Sequence, residues 1–220
     1  MKRVLILLYI VLFATSVSGQ EKEPKIQIVT DMGKITIKLY NETPQHRDNF
    51  IKLVQENAYD SVVFHRVIKQ FMIQAGEKLS PDDSIANKSM AKDLGYKVPA
   101  EIVYPKYFHK RGQLCAARTA DNVNPERASS ANQFYIVTGK HYTDHELNKM
   151  EKEKNIQLTP EQREAYKTAG GAPHLDGTYT IFGEVVKGMK IVDKIELVNT
   201  DHTDHPLKYI KIKKMKILKK

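Results

Sequence analysis

The sequence predicts a mainly β protein, an antiparallel barrel or sandwich with helices in a supporting role. Short runs of alternating or β-branched and aromatic residues recur along most of the chain between turn signals. Only two amphipathic helix patterns belong to that framework, and the remaining helical stretch is a charged block set between strands.

From Lys25, "KIQIVTDMGKITIKLYNE" holds two alternating runs around Asp31-Met32-Gly33, a β-hairpin signal. "TPQHRDNFIKLVQEN" sets Thr43 at a helix N-cap and Pro44 at the first helical position. With Phe50, Ile51, Leu53 and Val54 on one face, this predicts a helix from Pro44 to Glu56. "SVVFHRV", "QFMIQAG", "QLCAAR", "NQFYIVTG" and "TYTIFGEVV" read as strands by their β-branched and aromatic content. After Gly188, "MKIVDKIELV" spaces Ile191, Val192, Ile195 and Val198 for burial on a second helix. In the closing "YIKIKKMKILKK", Ile210 and Ile212, then Met215 and Ile217, alternate with lysines. The phase shift across Lys213–Lys214 fits a bulge in a half-buried strand with a solvated lysine face.

Two stretches interrupt this pattern. Lys78 to Arg111 is a long connection carrying Pro81, Pro99 and Pro105. Lys140 to Gly171 is charged and helical, with Thr159 as N-cap, Pro160 at the first position, Glu161 in the first turn and Gly170 as stop. An insertion of that length is either functional or a small subdomain. It is expected to make few contacts with the core, as a client-facing or partner-facing appendage.

Lys2 and Arg3, an apolar run from Val4 to Val17 and the small residues up to Gly19 read as a signal peptide cleaved near Gly19–Gln20. The run is shorter than the roughly 20 apolar residues a membrane span needs, so no stable membrane insertion is expected after cleavage. Residues 20–220 then form one domain, expected to be monomeric and exported, to the periplasm or by full secretion. Cys115 is the sole cysteine, so no intramolecular disulfide can form. The net charge of +9, less the two charges of Lys2 and Arg3, is +7, and much of the excess lies in the last strand. A strand face of lysines on an exported protein argues against a nucleic-acid partner.

"FHRVIKQFMIQAGE", Phe64 to Glu77, lacks cysteine, serine, aspartate and paired carboxylates. It resembles the central motif of the cyclophilins, the peptidyl-prolyl cis–trans isomerases, at Phe64, His65, Arg66, Val67, Ile68, Phe71, Met72, Gln74 and Gly76. "SSANQFYIVTG" resembles the family's S-x-x-S-Q-F-F-I at Gln133, Phe134 and Ile136, with Tyr135 in place of phenylalanine. "PHLDGTYTIFGEVVKGMKIVDKIE" resembles its third motif, and the three stand in the family's order. "AARTADNVNPERASSANQF" looks more like bacterial cyclophilins than eukaryotic ones. The resemblance implies a closed eight-stranded antiparallel β-barrel capped by two helices, here with a helical insertion at about residues 140–171. It also implies isomerisation of X–Pro bonds in exported or unfolded polypeptides, with no cofactor and no metal.

The residue set suits that chemistry. Resonance stiffens the peptide C–N bond, with a barrier of about 18–20 kcal/mol, and only X–Pro bonds populate the cis form appreciably. Rotation breaks no bond and moves no proton. A donor aimed at the prolyl nitrogen helps, because the lone pair localises there as resonance is lost, and an apolar slot must hold the ring. Arg66, with its rigid fork of donors, suits the first task. Phe71, Met72, Tyr135 and Leu175 suit the second.

By resemblance, Gln74 hydrogen-bonds the substrate backbone and orients Arg66, Gln133 lines the neighbouring groove, and Ala117 borders the substrate. Arg118 stands where many members have asparagine, Tyr179 replaces a pocket histidine, and His174 takes the place of the tryptophan associated with cyclosporin binding. His65 is expected to be a structural residue inside the barrel, since rotation requires no base. The clusters "HYTDH" (His141, Asp144, His145) and "DHTDH" (Asp201, His202, Asp204, His205) read as solvated polar loops rather than metal sites, because no third ligating element is fixed. The rival reading is a proline-peptide binding or holdase module whose main contacts come from the insertion. Arg66 and Gln74 favour the enzyme, because a pure binder has no use for the donor.

Overall fold

Period-two alternation builds the first hairpin. The computed structural model describes residues 22–78 and 94–219, and within them β1 (Lys25–Thr30) pairs antiparallel with β2 (Gly33–Leu39). Ile26, Ile28, Ile35 and Ile37 point inward and are fully buried. Thr30 Oγ1 accepts the N–H groups of Met32 and Gly33 and so fixes the turn. The leader expected over residues 1–19 lies outside the described residues, as does Pro81.

Helix α1 (Pro44–Gln55) starts where the Thr43-Pro44 pair puts it and buries Phe50, Leu53 and Val54. Thr43 holds the expected N-cap position, and its hydroxyl makes no capping hydrogen bond. The Glu101 carboxylate accepts the N–H groups of Gln45 and His46 instead, at 3.0 and 2.9 Å. A carboxylate satisfies two orphan donors at once and meets the positive end of the helix dipole, which a hydroxyl cannot do as strongly.

The chain continues through β3 (Val62–Ile68), β4 (Met72–Lys78), β5 (Lys97–Val98), β6 (Gln113–Ala116), β7 (Ser129–Ser130) and β8 (Phe134–Val137). Helices α2 (Asp144–Lys154) and α3 (Pro160–Thr168) follow, then β9 (Ile181–Lys187), α4 (Met189–Glu196) and β10 (Ile210–Leu218). Eight strands close in the order β1-β10-β3-β4-β8-β6-β9-β2, all antiparallel, and β5 and β7 pair separately. The barrel is filled by Phe64, Ile73, Leu114, Phe134, Ile136 and Ile212 with the hairpin isoleucines, and α1 and α4 add Phe50, Leu53, Val192 and Ile195 to the same core. The basic strand carries the expected bulge: Val29 faces Lys214 and Thr30 faces Ile212, leaving Lys213 over. Ile217, on the inward phase of the alternation, lies at the rim and is 39% exposed.

The insertion folds as a helical pair with a complete capping box at each start, Thr143 with Glu146 and Thr159 with Gln162. Arg163 of α3 ties back to α2 through Glu151 at 2.6 Å and Asp144 at 3.0 Å. As expected, none of its residues joins the barrel core. Leu147, Leu158 and Tyr166 form a small core of their own with Phe108, and the Tyr166 hydroxyl donates to Asp176 Oδ2 at 2.6 Å. The insertion is bound into the fold by apolar burial and by a buried hydrogen bond.

Candidate active site

Bulges in β3 and β4 shape the site. The register shifts between Val63 and Phe64, leaving Gly76 of β4 over, and again between Phe64 and Arg66, leaving His65 of β3 over. On a regular strand His65 and Arg66 would face opposite ways. Here both line one cleft of about 430 Å³ on the outside of the barrel. The expectation that His65 lies inside the barrel is therefore corrected: it is buried, 6% exposed, in the cleft wall.

Burial pushes the His65 imidazole down to about 4, with the nearby charges of His205 and Arg66 as smaller causes. The unfolded chain then binds this proton more readily than the folded one. Folding is opposed as pH falls below the ordinary value of 6.5, and the effect is complete near 4. Stability of the wild type relative to His65→Gln should fall by up to about 3 kcal/mol between pH 7 and pH 4. Denaturant titrations at several pH values measure this, and a gap between the two proteins that did not change with pH would refute it.

Arg66 and Gln74 face each other across β3 and β4. The Arg66 guanidinium, half-exposed, donates from Nε and Nη2 to Asp204 Oδ2, both at 3.3 Å. Gln74 Nε2 donates to Gln133 Oε1 at 2.9 Å. In this structure the arginine is thus oriented by Asp204 rather than by Gln74, and the two glutamines form a separate polar ledge.

Beside the arginine, Phe71, Met72, Tyr135, Leu175 and Tyr179 supply apolar and aromatic walls, with Ala117 at the border. The rings of Tyr135 and Tyr179 meet edge to face, 6.0 Å apart at 86°. Arg118 also lines the cleft. Its fork is occupied, however: Nε donates to the Thr178 carbonyl, Nη1 to the Thr119 carbonyl and to Asp121. The guanidinium carbon lies 4.3 Å from the centre of the Tyr179 ring, so Arg118 buttresses that ring as a wall. His174 is not on the cleft lining and stands behind Phe71, ring centres 5.2 Å apart.

The cleft also holds Thr119, Ser130, Thr203 and His205, which the sequence reading did not single out as site residues. The "DHTDH" stretch, expected to be a solvated loop, is a folded turn aimed at the site. The Asp201 carboxylate accepts the N–H groups of Thr203 and His205, the Asp204 carbonyl accepts the Val67 N–H at 2.9 Å, and Asp204 takes a left-handed φ of 66°. Asp and Asn are the residues that tolerate this conformation best after glycine. In "HYTDH", Asp144 pairs with Arg163 and Lys167, and His141 Nδ1 lies 3.1 Å from the Lys167 carbonyl oxygen.

A closed antiparallel barrel thus carries an arginine beside an aromatic slot on its outer wall. The family model described as "Cyclophilin type peptidyl-prolyl cis-trans isomerase/CLD" matches residues 25–217. A peptidyl-prolyl cis-trans isomerase-like 1 protein of Neurospora crassa is 32% identical over 88% of this chain and 94% of its own length. A peptidyl-prolyl cis-trans isomerase of Arabidopsis thaliana is 28% identical over 89% and 94%. A crystal structure of a Cryptosporidium parvum cyclophilin-type isomerase superposes with a TM-score of 0.63 at 22% identity, covering 90% of this chain and 99% of that one. Another structure of the same isomerase was determined in the presence of the dipeptide Ala-Pro. The chain belongs to the cyclophilin family and is a peptidyl-prolyl cis–trans isomerase.

Proposed function

We propose that the protein isomerises X–Pro bonds in exported polypeptides, acting in the periplasm as a monomer after its leader is removed. The observation that carries the catalytic reading is the placement of the Arg66 guanidinium on the same cleft as the Phe71, Met72, Tyr135, Leu175 and Tyr179 slot. A prolyl ring held in that slot brings its nitrogen toward the guanidinium. As the bond twists and resonance is lost, the nitrogen lone pair becomes an acceptor, and an arginine donor stabilises the twisted state more than either planar one. Gln74 and Gln133 would take the substrate backbone, with Ala117 bordering it. Arg118 acts behind Tyr179, and His174 behind Phe71. Determination of the related C. parvum structure in the presence of Ala-Pro supports a proline-containing ligand.

Support for export is the order of basic, apolar and small residues over positions 1–19. Turnover of a set of X–Pro peptides in a protease-coupled assay tests the catalytic reading. Binding without acceleration would favour a holdase. N-terminal sequencing from the native host tests export: mature protein should begin at or near Gln20, and soluble material retaining Met1 would refute it.

A further inference from the structure

Tyr135, whose ring forms part of the proline slot, does not end at the slot. Its hydroxyl lies 3.1 Å from His109 Nε2, and His109 Nδ1 lies 3.0 Å from Asp176 Oδ1. Oδ1 also accepts the His109 backbone N–H at 2.7 Å. A carboxylate can only accept, so the imidazole presents Nδ1–H to Asp176 and turns Nε2 toward Tyr135. The other oxygen, Oδ2, accepts the Tyr166 hydroxyl at 2.6 Å from α3 of the insertion.

The four groups are sealed from water: His109 and Tyr166 are fully buried, the Asp176 side chain is 1% exposed and Tyr135 4%. Burial first, then the Asp176 charge, raise the Tyr166 phenol, so it stays a donor at every working pH. Breaking a link of this buried network is costly, because the groups lose their strong partners and the Tyr135 hydroxyl would keep only the weak Cys115 thiol. The network also explains why tyrosine can stand where the family motif has phenylalanine: the hydroxyl has a built partner. Asp176 directly follows Leu175 of the slot, and Lys154 at the end of α2 donates to the His174 carbonyl at 3.4 Å. The insertion thus touches the slot-bearing turn twice.

We propose that Tyr166 is a positioning residue for the proline slot, holding the Tyr135 ring through Asp176 and His109 so that the insertion sets the affinity for the prolyl ring. Arg66 lies outside this chain of bonds, so the step it serves is untouched. The proposal rests on the isomerase reading. Turnover by the unmodified chain checks that reading first, and its absence would count against the reading rather than against the chain of bonds.

In the full chain, Tyr166→Phe should raise KM for an X–Pro peptide about threefold or more while kcat stays within about twofold. Tyr142→Phe, on a neighbouring ring of the insertion outside the network, should leave both unchanged. In a Tyr135→Phe background, where the last link is already cut, adding Tyr166→Phe should raise KM no further. An unchanged KM in Tyr166→Phe would overturn the proposal, as would an effect that persists undiminished in the Tyr135→Phe background. Should Tyr166→Phe fail to fold, Tyr135→Phe alone decides: it keeps the ring and removes the tether, and an unchanged KM would overturn the proposal.

Discussion

Arg66→Ala will lower kcat/KM on an X–Pro peptide by about a hundredfold or more, the scale for deleting one preorganised donor, about 2.7–4 kcal/mol. Turnover should suffer more than binding, because the slot that holds the ring stays in place and the lost interaction matures only as the bond twists. Stability should change little. Arg66 and Asp204 are each about 40% exposed, at 44% and 39%, and an ion pair so open to water is worth about 1 kcal/mol or less. Arg66→Lys should also be poor, since an ammonium cannot engage Asp204 with one edge of a planar fork while presenting another to the substrate. Steady-state kinetics beside thermal melts separate the two effects. An Arg66→Ala protein with full turnover would show that the donor argument is wrong.

Gly76→Ala should be the most damaging single change in the central motif for stability. Gly76 lies in β4 with φ of 126°, outside the range ordinary L-residues adopt, so alanine there is strained before any contact is considered. A methyl group would also stand 2.3 Å from the Asn132 carbonyl oxygen and 2.6 Å from Gln133 Cα. These are backbone atoms that no rotamer change can move aside. Asn132 Nδ2 donates to the Gly76 carbonyl at 2.7 Å, which pins the two segments together. Backbone strain of about 1–3 kcal/mol and overpacking of similar size act together, so a loss of about 3 kcal/mol or more is expected in urea denaturation. Relief requires the segment carrying Gln133 to shift, so KM should rise as well. A Gly76→Ala protein within about 0.5 kcal/mol of the wild type would refute the expectation.

What could be read from sequence was local. The first hairpin, the start of α1, the N-cap of α3 and the bulge at Lys213 each follow from neighbours within a few positions, where period, proline placement and turn chemistry act directly. What could not be read was distant pairing. Glu101 caps α1 from 55 positions away, and Asp204 reaches Arg66 across 138. The bulge in β3 carries no composition signal, so the side chain of His65 was assigned to the wrong face. The walls of the cleft were legible because they sit inside long motifs. The "DHTDH" turn, correctly polar and turn-forming, gave no sign of what it faces. Tyr166 reads as one more ring on a charged helix until Asp176 is seen beside it.

The closed order of strands has a kinetic consequence. β1 and β10, near opposite ends of the chain, are hydrogen-bonded neighbours along Lys25–Thr30 and Ile212–Leu218. The barrel therefore cannot close while β10 is still inside a ribosome. Until then Ile26 and Ile28 have only one flanking strand, and the N-terminal hairpin alone is marginal in water. A chain truncated before Ile210 should remain open and aggregation-prone, and refolding of the whole should be slow for its size because the decisive pairing spans almost its full length. Such a topology keeps the polypeptide pliable throughout synthesis and commits it to its final form only when the C-terminus arrives.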